Sequence, residues 1–395
     1  MASTLNLKKT LKENTMFIAL IAVMLLFQIL IVATDHGSLF APANITNIIN
    51  QNSYVLILAT GMLLCILTGG NIDLSVGSVI AFAGGIGAVI MEKGGNSFIA
   101  VVVMLIAGTL VGVLQGYFIA YVKVPPFIAT LAGMYAFRGL ANVVLQGYAV
   151  TIDDKTFLNV FGGGADCYVP EFFNFIEGKN GTCIIAGALG IIIYLVVTFG
   201  GRIRAKKAGY TVDPLFGVVA KAVIICAAIA WITNKLSSFK GIPSALIWIG
   251  LVLFIYTYVT NRTTMGRYLY AVGGNEKATR LSGINTKNVY FFAYVNMGLL
   301  AGLASILTIA RASSAQPTYG QGYEMDAIAA CFIGGASAYG GIGNVGGVVI
   351  GAVLMGVINQ GMSIMGVDAN YQKVVKGLVL LFAVLFDILS KKDKK

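Results

Sequence analysis

Long apolar runs recur from one end of the chain to the other, separated by short polar intervals. Runs of about 18–20 residues suffice to cross a hydrocarbon core of roughly 30 Å as helices. The first, Met16–Ala33, follows "NLKKTLKEN". It is longer than a signal-peptide core and lacks a small-x-small cleavage pattern, so it is expected to remain as the first helix. Further spans are predicted at 54–69, 72–91, 98–121, 127–146, 182–199, 215–232, 244–260, 289–310, 325–340, 345–362 and 372–389. The expectation is an all-α integral membrane protein. It is a polytopic bundle of about 12 transmembrane helices, broken at Gly-rich motifs, with residues 1–395 as a single domain.

Composition agrees with that reading: 57% of residues are hydrophobic, 11% are charged, and no stretch is left for a soluble domain. Forty-nine glycines fit helices whose backbones approach closely. Cations orient the bundle, because Lys and Arg favour cytoplasmic loops. With both termini inside, the inner segments hold Lys8, Lys9, Lys12, Lys123, Arg202, Arg204, Lys206, Lys207, Arg262, Arg267, Lys277, Arg280, Lys287 and the terminal lysines. The outer loops hold only Lys93, Lys155, Lys179, Lys235, Lys240 and Arg311. The net charge of +11 is therefore placed beside an anionic lipid leaflet, and no nucleic-acid partner is expected.

One carboxylate interrupts the apolar pattern. In "ILTGGNIDLSVGSVIAFAGG", Ile66–Gly85, paired glycines allow the helix to break, and Asp73 or Ser75 can cap the segment that restarts at Leu74. A charge at membrane depth costs roughly 2.5–3.5 kcal/mol on insertion scales, so Asp73 is expected to face protein, water or a pathway. "GGNID" (Gly69–Asp73) and "GGIGN" (Gly340–Asn344) share this break, which makes Asn71, Asp73, Ser75 and Asn344 the candidates for a helix break or a path. "GIGNVG" (Gly341–Gly346), followed by Asp368, matches a dinucleotide fingerprint in letters only, because it separates two apolar spans and follows no strand. Gly108, Gly112 and Gly116 form one small-residue face, and Gly298 with Gly302 another. Pro125–Pro126 mark a helix boundary. No cluster of nucleophiles, histidines or metal ligands is present; His36 is the single histidine. Cys65, Cys226 and Cys331 read as small core residues, whereas Cys167 and Cys183 lie at the outer face, where a disulfide between them stays open.

Two loops exceed mere connection. The outer one, Tyr148–Gly181, is net acidic and is either a docking surface or a solvated connector. The inner one, 261–288, contains "NEKATRLSG", in which Asn275 can cap a short helix, Glu276 suits its N-terminus and Gly283 can end it. Glu276, Lys277 and Arg280 would offer a polar face, and Ala278 with Leu281 a small apolar one.

Several motifs together resemble a known family: "TGGNIDLSVGSV", "VPPFIATLAGMYAFRGL", "GRYLYAVGGNEKATRLSGIN", "SSAQPTYGQGYEMDAIAACFIGG" and "VVKGLVLLFAV". They are similar to the permease subunits of bacterial ABC importers for ribose, xylose and related monosaccharides, from about Ile45 to Phe382. Between about 165 and 240 the chain departs from ribose-type members through an extra helix pair around "GGRIRAKKAG", as in the longer xylose and multiple-sugar permeases. The resemblance implies a single transmembrane permease domain in the bacterial plasma membrane, acting as a homodimer. A cytoplasmic ATPase, often two fused nucleotide-binding halves, and an extracytoplasmic sugar-binding protein would be its partners. It also implies that 261–288 is the ATPase-coupling segment, through Asn275, Glu276, Lys277, Ala278, Arg280, Leu281 and Gly283. ATP would be used by the partner and no cofactor bound directly, in keeping with the absence of a G-x-x-x-x-G-K-[ST] loop. A self-contained secondary sugar carrier is the alternative. Asp73 then has three readings: a cap beside the path, a direct sugar contact, or a proton-coupling group.

Overall fold

The computed structural model describes residues 15–210 and 215–392; Lys8, Lys9, Lys12, Lys394 and Lys395, on which part of the charge asymmetry rests, lie outside them. The helices are α1 (Thr15–Ala33), α2 (Pro42–Gln51), α3 (Ser53–Leu67), α4 (Val76–Glu92), α5 (Ser97–Tyr117) and α6 (Pro126–Leu145). They continue as α7 (Lys155–Phe161), α8 (Gly181–Lys207), α9 (Leu215–Ser237), α10 (Ser244–Arg262), α11 (Thr264–Leu281) and α12 (Thr286–Ala312). The last are α13 (Tyr323–Ile333), α14 (Val345–Ile364) and α15 (Ala369–Lys392). Two two-residue strands, β1 (Val150–Thr151) and β2 (Ser314–Ala315), pair antiparallel with Val150 opposite Ala315.

Caps set many of these boundaries. Asn96 accepts from the Phe98 N–H at 2.7 Å to start α5, Asp154 accepts from Thr156 and Phe157 to start α7, and Asn285 accepts from Lys287 to start α12. The same N–H groups, the Phe157 amide foremost, hold the Asp154 carboxyl below its usual range. Pro126 opens α6 at a position where the missing N–H costs nothing.

The chain forms two compact units. The larger comprises the described parts of Met1–Leu39, Ile48–Cys167 and Ala245–Lys395. At its centre α3 is apolar on every side, and every residue from Ser53 to Leu67 is buried. The most extensive helix contact is between α5 and α12, where the two small-residue faces meet each other. A Cβ on Gly108 would lie 2.5 Å from the Gly298 carbonyl oxygen and 2.8 Å from the Gly302 Cα. Neither helix can carry a side chain there, and the approach lets dispersion act directly between backbones.

The smaller unit comprises Phe40–Asn47 and Tyr168–Ser244. Its helices α8 and α9 are tied at one end, where the Asn180 N–H donates to the Ser237 carbonyl at 2.9 Å and Lys179 Nζ donates to Asn234 Oδ1 at 2.6 Å. "GGRIRAKKAG" forms the end of α8 and the turn after it, with Arg204, Lys206 and Lys207 complementing the helix dipole. All five cysteines, Cys167 and Cys183 included, are thiols rather than disulfides; the Cys183 Sγ donates to the Thr233 carbonyl at 3.7 Å.

Among the described residues, eight helices are long and apolar enough to cross a membrane, or nine if α2 and α3 count as one bent span. The all-α polytopic membrane fold is thus in place, whereas the count of twelve is not reached by length and composition. Helix α4 has 17 residues because the break at Gly69–Asp73 removes its first turn. Helix α13 has only 11 because the chain turns at Gly334–Gly335, where Gly335 has φ +85°. Helix α15 carries Lys373 and Lys376 in its first half.

Candidate functional site

The break after α3 is built around Asp73. Gly69 and Gly70, at φ +129° and +76°, turn the chain out of the helix in conformations that side chains rarely adopt. The chain then re-enters at Ser75, whose carbonyl accepts the first intrahelical bond, from Val79. Asp73 is 3% exposed, and its Oδ1 accepts from both the Ser75 N–H at 2.8 Å and the Ser75 hydroxyl at 2.7 Å. Gln115, on α5, donates to the same hydroxyl oxygen at 2.7 Å. A buried row of Gln115, Ser75 and Asp73 therefore fixes how α4 starts relative to α5. Asn71 lies on the other side of the break and donates to the Thr68 hydroxyl at 3.1 Å.

The second break, between α13 and α14, packs on the first. The Gly341 N–H donates to the Leu67 carbonyl at 3.1 Å, and the Tyr270 hydroxyl of α11 donates to the Gly343 carbonyl at 2.8 Å. Asn344 caps α14 by accepting from the Gly347 N–H at 2.8 Å. A Cβ on Gly273 would collide with the Leu67 carbonyl and the Gly341 amide. The two breaks and the middle of α11 thus meet backbone to backbone.

At Asn275 the backbone becomes extended, so α11 is two helices joined by a kink. Asn275 Oδ1 accepts from the Ala278 N–H at 2.9 Å, capping the second piece. That piece ends at Gly283, at φ +85°, with N–H bonds from Gly283 to Arg280 and from Ile284 to Thr279 in the Schellman pattern. Lys277, Ala278 and Arg280 are exposed and Leu281 is 79% exposed. Glu276 is exposed as well, and both of its oxygens also accept bonds from α12. Thr286 donates to one at 3.1 Å and Tyr290 to the other at 3.0 Å. Tyr290 thus joins Glu276 at the kink to the neighbourhood of the first helix break, where a Cβ on Gly69 would lie 4.0 Å from its hydroxyl oxygen.

The family model described as "Branched-chain amino acid transport system / permease component" matches residues 44–384. The chain belongs to this permease family. The permease is 35% identical to the xylose transport system permease protein XylH of Escherichia coli (strain K12) over 387 residues, 97% of this chain and 93% of that protein. It is 37% identical to the ribose import permease protein RbsC of the same strain over 363 residues, 92% of this chain and 91% of that one. Haemophilus influenzae XylH is 34% identical over 377 residues, 95% of this chain and 96% of its own length. No solved structure matches the permease.

Arg138, Asp326 and Gln115 make polar contacts whose partners the sequence does not indicate. Arg138, an unusual cation inside α6, donates through Nη1 to the Pro317 and Tyr319 carbonyls, both at 2.6 Å, and so holds the turn ahead of α13. Asp326 is wholly buried; it accepts from the Tyr54 hydroxyl at 2.6 Å and pairs with Lys376 of α15 at 2.9 Å. Lys376 inside an apolar run was the available signal for a buried carboxylate, and Gln115 beside Gly116 was the signal for a partner on a facing helix. Lys376→Met leaves the Asp326 charge buried and unpaired, which is expected to cost about 3–5 kcal/mol. Thermal unfolding of the purified permease should show the loss, and Lys376→Met/Asp326→Asn should recover part of it. An unchanged midpoint in Lys376→Met would show that the pair does not hold α13 to α15.

Proposed function

We infer that the permease is the transmembrane subunit of an ATP-driven importer of monosaccharides of the xylose or ribose type. The observation that carries this is identity spread over more than nine-tenths of the chain with both a xylose and a ribose permease. In this reading it sits in the bacterial plasma membrane with both termini inside and works as a homodimer. It draws on a separate cytoplasmic ATPase with two fused nucleotide-binding halves and receives sugar from an extracytoplasmic binding protein. It binds no cofactor itself, since ATP is used by the ATPase. The twelve-span topology belongs to the same reading, with α3, α4, α13 and α15 as crossings shortened or modified at the breaks.

The kinked end of α11 is the coupling element, presenting Lys277, Ala278, Arg280 and Leu281 to the ATPase, with Asn275 and Gly283 fixing its ends. Glu276 transmits rather than docks, because its carboxylate is bonded to α12. Asn71, Asp73, Ser75 and Asn344 shape the breaks beside the path, and the Gly273 contact gives displacement of α11 a direct route to them.

The test is uptake of radiolabelled D-xylose and D-ribose by proteoliposomes. Uptake is expected only when the permease is reconstituted with both partners and with ATP. Uptake by the permease alone, driven by a proton or sodium gradient, would establish the secondary-carrier alternative instead.

A further inference from the structure

Protein covers the two long helices of the smaller unit very little. The membrane-length windows of α8 and α9 are each 6% buried. Helix α8 has 27 residues, and its first part, Gly181–Gly200, already spans a hydrocarbon core of roughly 30 Å. The remainder, to Lys207, continues the helix by about 10 Å, through the headgroup layer. From Gly201 to Lys221 the sequence sets Arg202, Arg204, Lys206, Lys207 and Lys221 against a single carboxylate, Asp213, which lies outside the described residues. Asn180 bonds Ser237 at the opposite end of the pair, so the end of α8 and the start of α9 share one side of the membrane.

Cations at the two ends of the pair are placed differently. Near Asn180 they are engaged by protein. Lys179 donates to Asn234 Oδ1, Lys235 lies 6.0 Å from the centroid of the Trp231 ring, and Lys240 lies 5.6 Å from that of Tyr168. At the other end the side chains of Arg204, Lys206, Lys207 and Lys221 are exposed and have no ion-pair, hydrogen-bond or ring partner among the described residues. Lys221 also stands about 9 Å inside the start of α9, at a depth where a lysine keeps its charge by snorkelling to the interface. Apolar side chains lie between these cations: Ile203, Leu215 and Val223 are 56%, 58% and 61% exposed.

An occupant must therefore bring an anionic head to the level of Arg204–Lys207 and an apolar body alongside α9. Inorganic phosphate would use none of the apolar surface. A soluble acidic segment would not reach the depth of Lys221. A zwitterionic lipid would bring its own cation to a surface already of that sign. We propose that the end of α8 and the start of α9 bind an anionic phospholipid, its phosphate held among Arg204, Lys206, Lys207 and Lys221. Its assignment to the cytoplasmic leaflet rests on the orientation given above. The lipid supplies the lateral packing that protein leaves out.

Native mass spectrometry of the full-length permease in detergent tests this, with phosphatidylglycerol and phosphatidylcholine of identical acyl chains as probes. Phosphatidylglycerol should be retained and phosphatidylcholine lost. At about fivefold per cation, Arg204→Gln/Lys206→Gln/Lys207→Gln should weaken retention roughly a hundredfold and Lys221→Gln about fivefold. Lys179→Gln/Lys235→Gln/Lys240→Gln removes as much charge at the other end and should change retention little. Thermal unfolding controls for folding, and Lys221→Gln carries the test should the triple variant fail to fold. Equal retention of the two lipids would overturn the proposal, as would undiminished phosphatidylglycerol on a folded Arg204/Lys206/Lys207 or Lys221 variant. Lipid on the monomer but not on the dimer in the same spectrum would overturn it too, by making a second copy the occupant. Displacement of the lipid by polyglutamate would give the surface to a soluble acidic partner instead. Two further measurements separate this site from the importer reading. Normal ATP-dependent uptake without lipid preference leaves the importer standing and removes the lipid site. Lipid preference in a Lys207→Cys variant that an impermeant maleimide labels from outside the cell, above the level of the parent, keeps the site and removes the orientation.

Discussion

Asp73→Leu is expected to reduce the folded permease severalfold in the membrane, whereas Asp73→Asn keeps most of it. Leucine would leave the Ser75 N–H and the Ser75 hydroxyl buried without their acceptor, both now bonded to Asp73 Oδ1. Each lost partner costs about 1–3 kcal/mol, so the pair amounts to about 2–6 kcal/mol, a large fraction of an ordinary folding free energy. An asparagine Oδ1 accepts the same two bonds. Gln115→Leu, which removes only the outer member of the row, should fall between them. The measurements are membrane level, thermal unfolding and sugar uptake with the partners present. If Asn and Leu abolish uptake equally at normal membrane levels, the carboxylate charge itself is required and the capping account fails.

The second large effect concerns the exposed tip of α11. Ala278→Trp combined with Leu281→Asp should leave insertion and unfolding temperature unchanged, because both side chains are solvent-exposed. Docking on the ATPase should weaken by about 2 kcal/mol, roughly 30-fold in affinity, for the lost burial of one leucine-sized group alone. Co-purification and the stimulation of ATP hydrolysis by sugar-loaded binding protein should both collapse. Glu276→Gln should behave differently. It retains docking but loosens the tie to Thr286 and Tyr290, so ATP would be hydrolysed with less sugar moved. Normal coupling in the Ala278→Trp/Leu281→Asp variant would mean that the energy enters the permease elsewhere.

Much of this was local and therefore legible. Apolar runs of membrane length gave most of the helices, because each is a statement about one stretch and its solvent. Paired glycines before an Asx residue marked the two breaks, and the Asn275 and Gly283 ends of the short inner helix followed from capping chemistry. What escaped were meetings between distant stretches. Nothing near Leu67 in sequence indicates that Gly273 and Gly341 close on its carbonyl, and nothing near Glu276 points to Tyr290 as a partner. The charge of Glu276 suggested an outward face, and the residue is exposed, yet its oxygens also meet two hydroxyl donors of α12. The length criterion stops short of twelve spans for a related reason. A length criterion assumes continuous helices, and the glycines that make the breaks shorten α4 and α13 below it.

The contact between α5 and α12 has a further meaning for how such a molecule moves. Ordinary helix neighbours are separated by side chains that can change rotamer, so one helix can slide or roll past the other through many small accommodations. Between Gly108 and Gly298 there is nothing to accommodate, only peptide against peptide. Relative sliding meets a hard wall within a fraction of an ångström, and separation forfeits the whole contact at once. The two helices therefore count mechanically as one strut of double width, and any cycle of opening and closing has fewer independent moving parts than the molecule has helices.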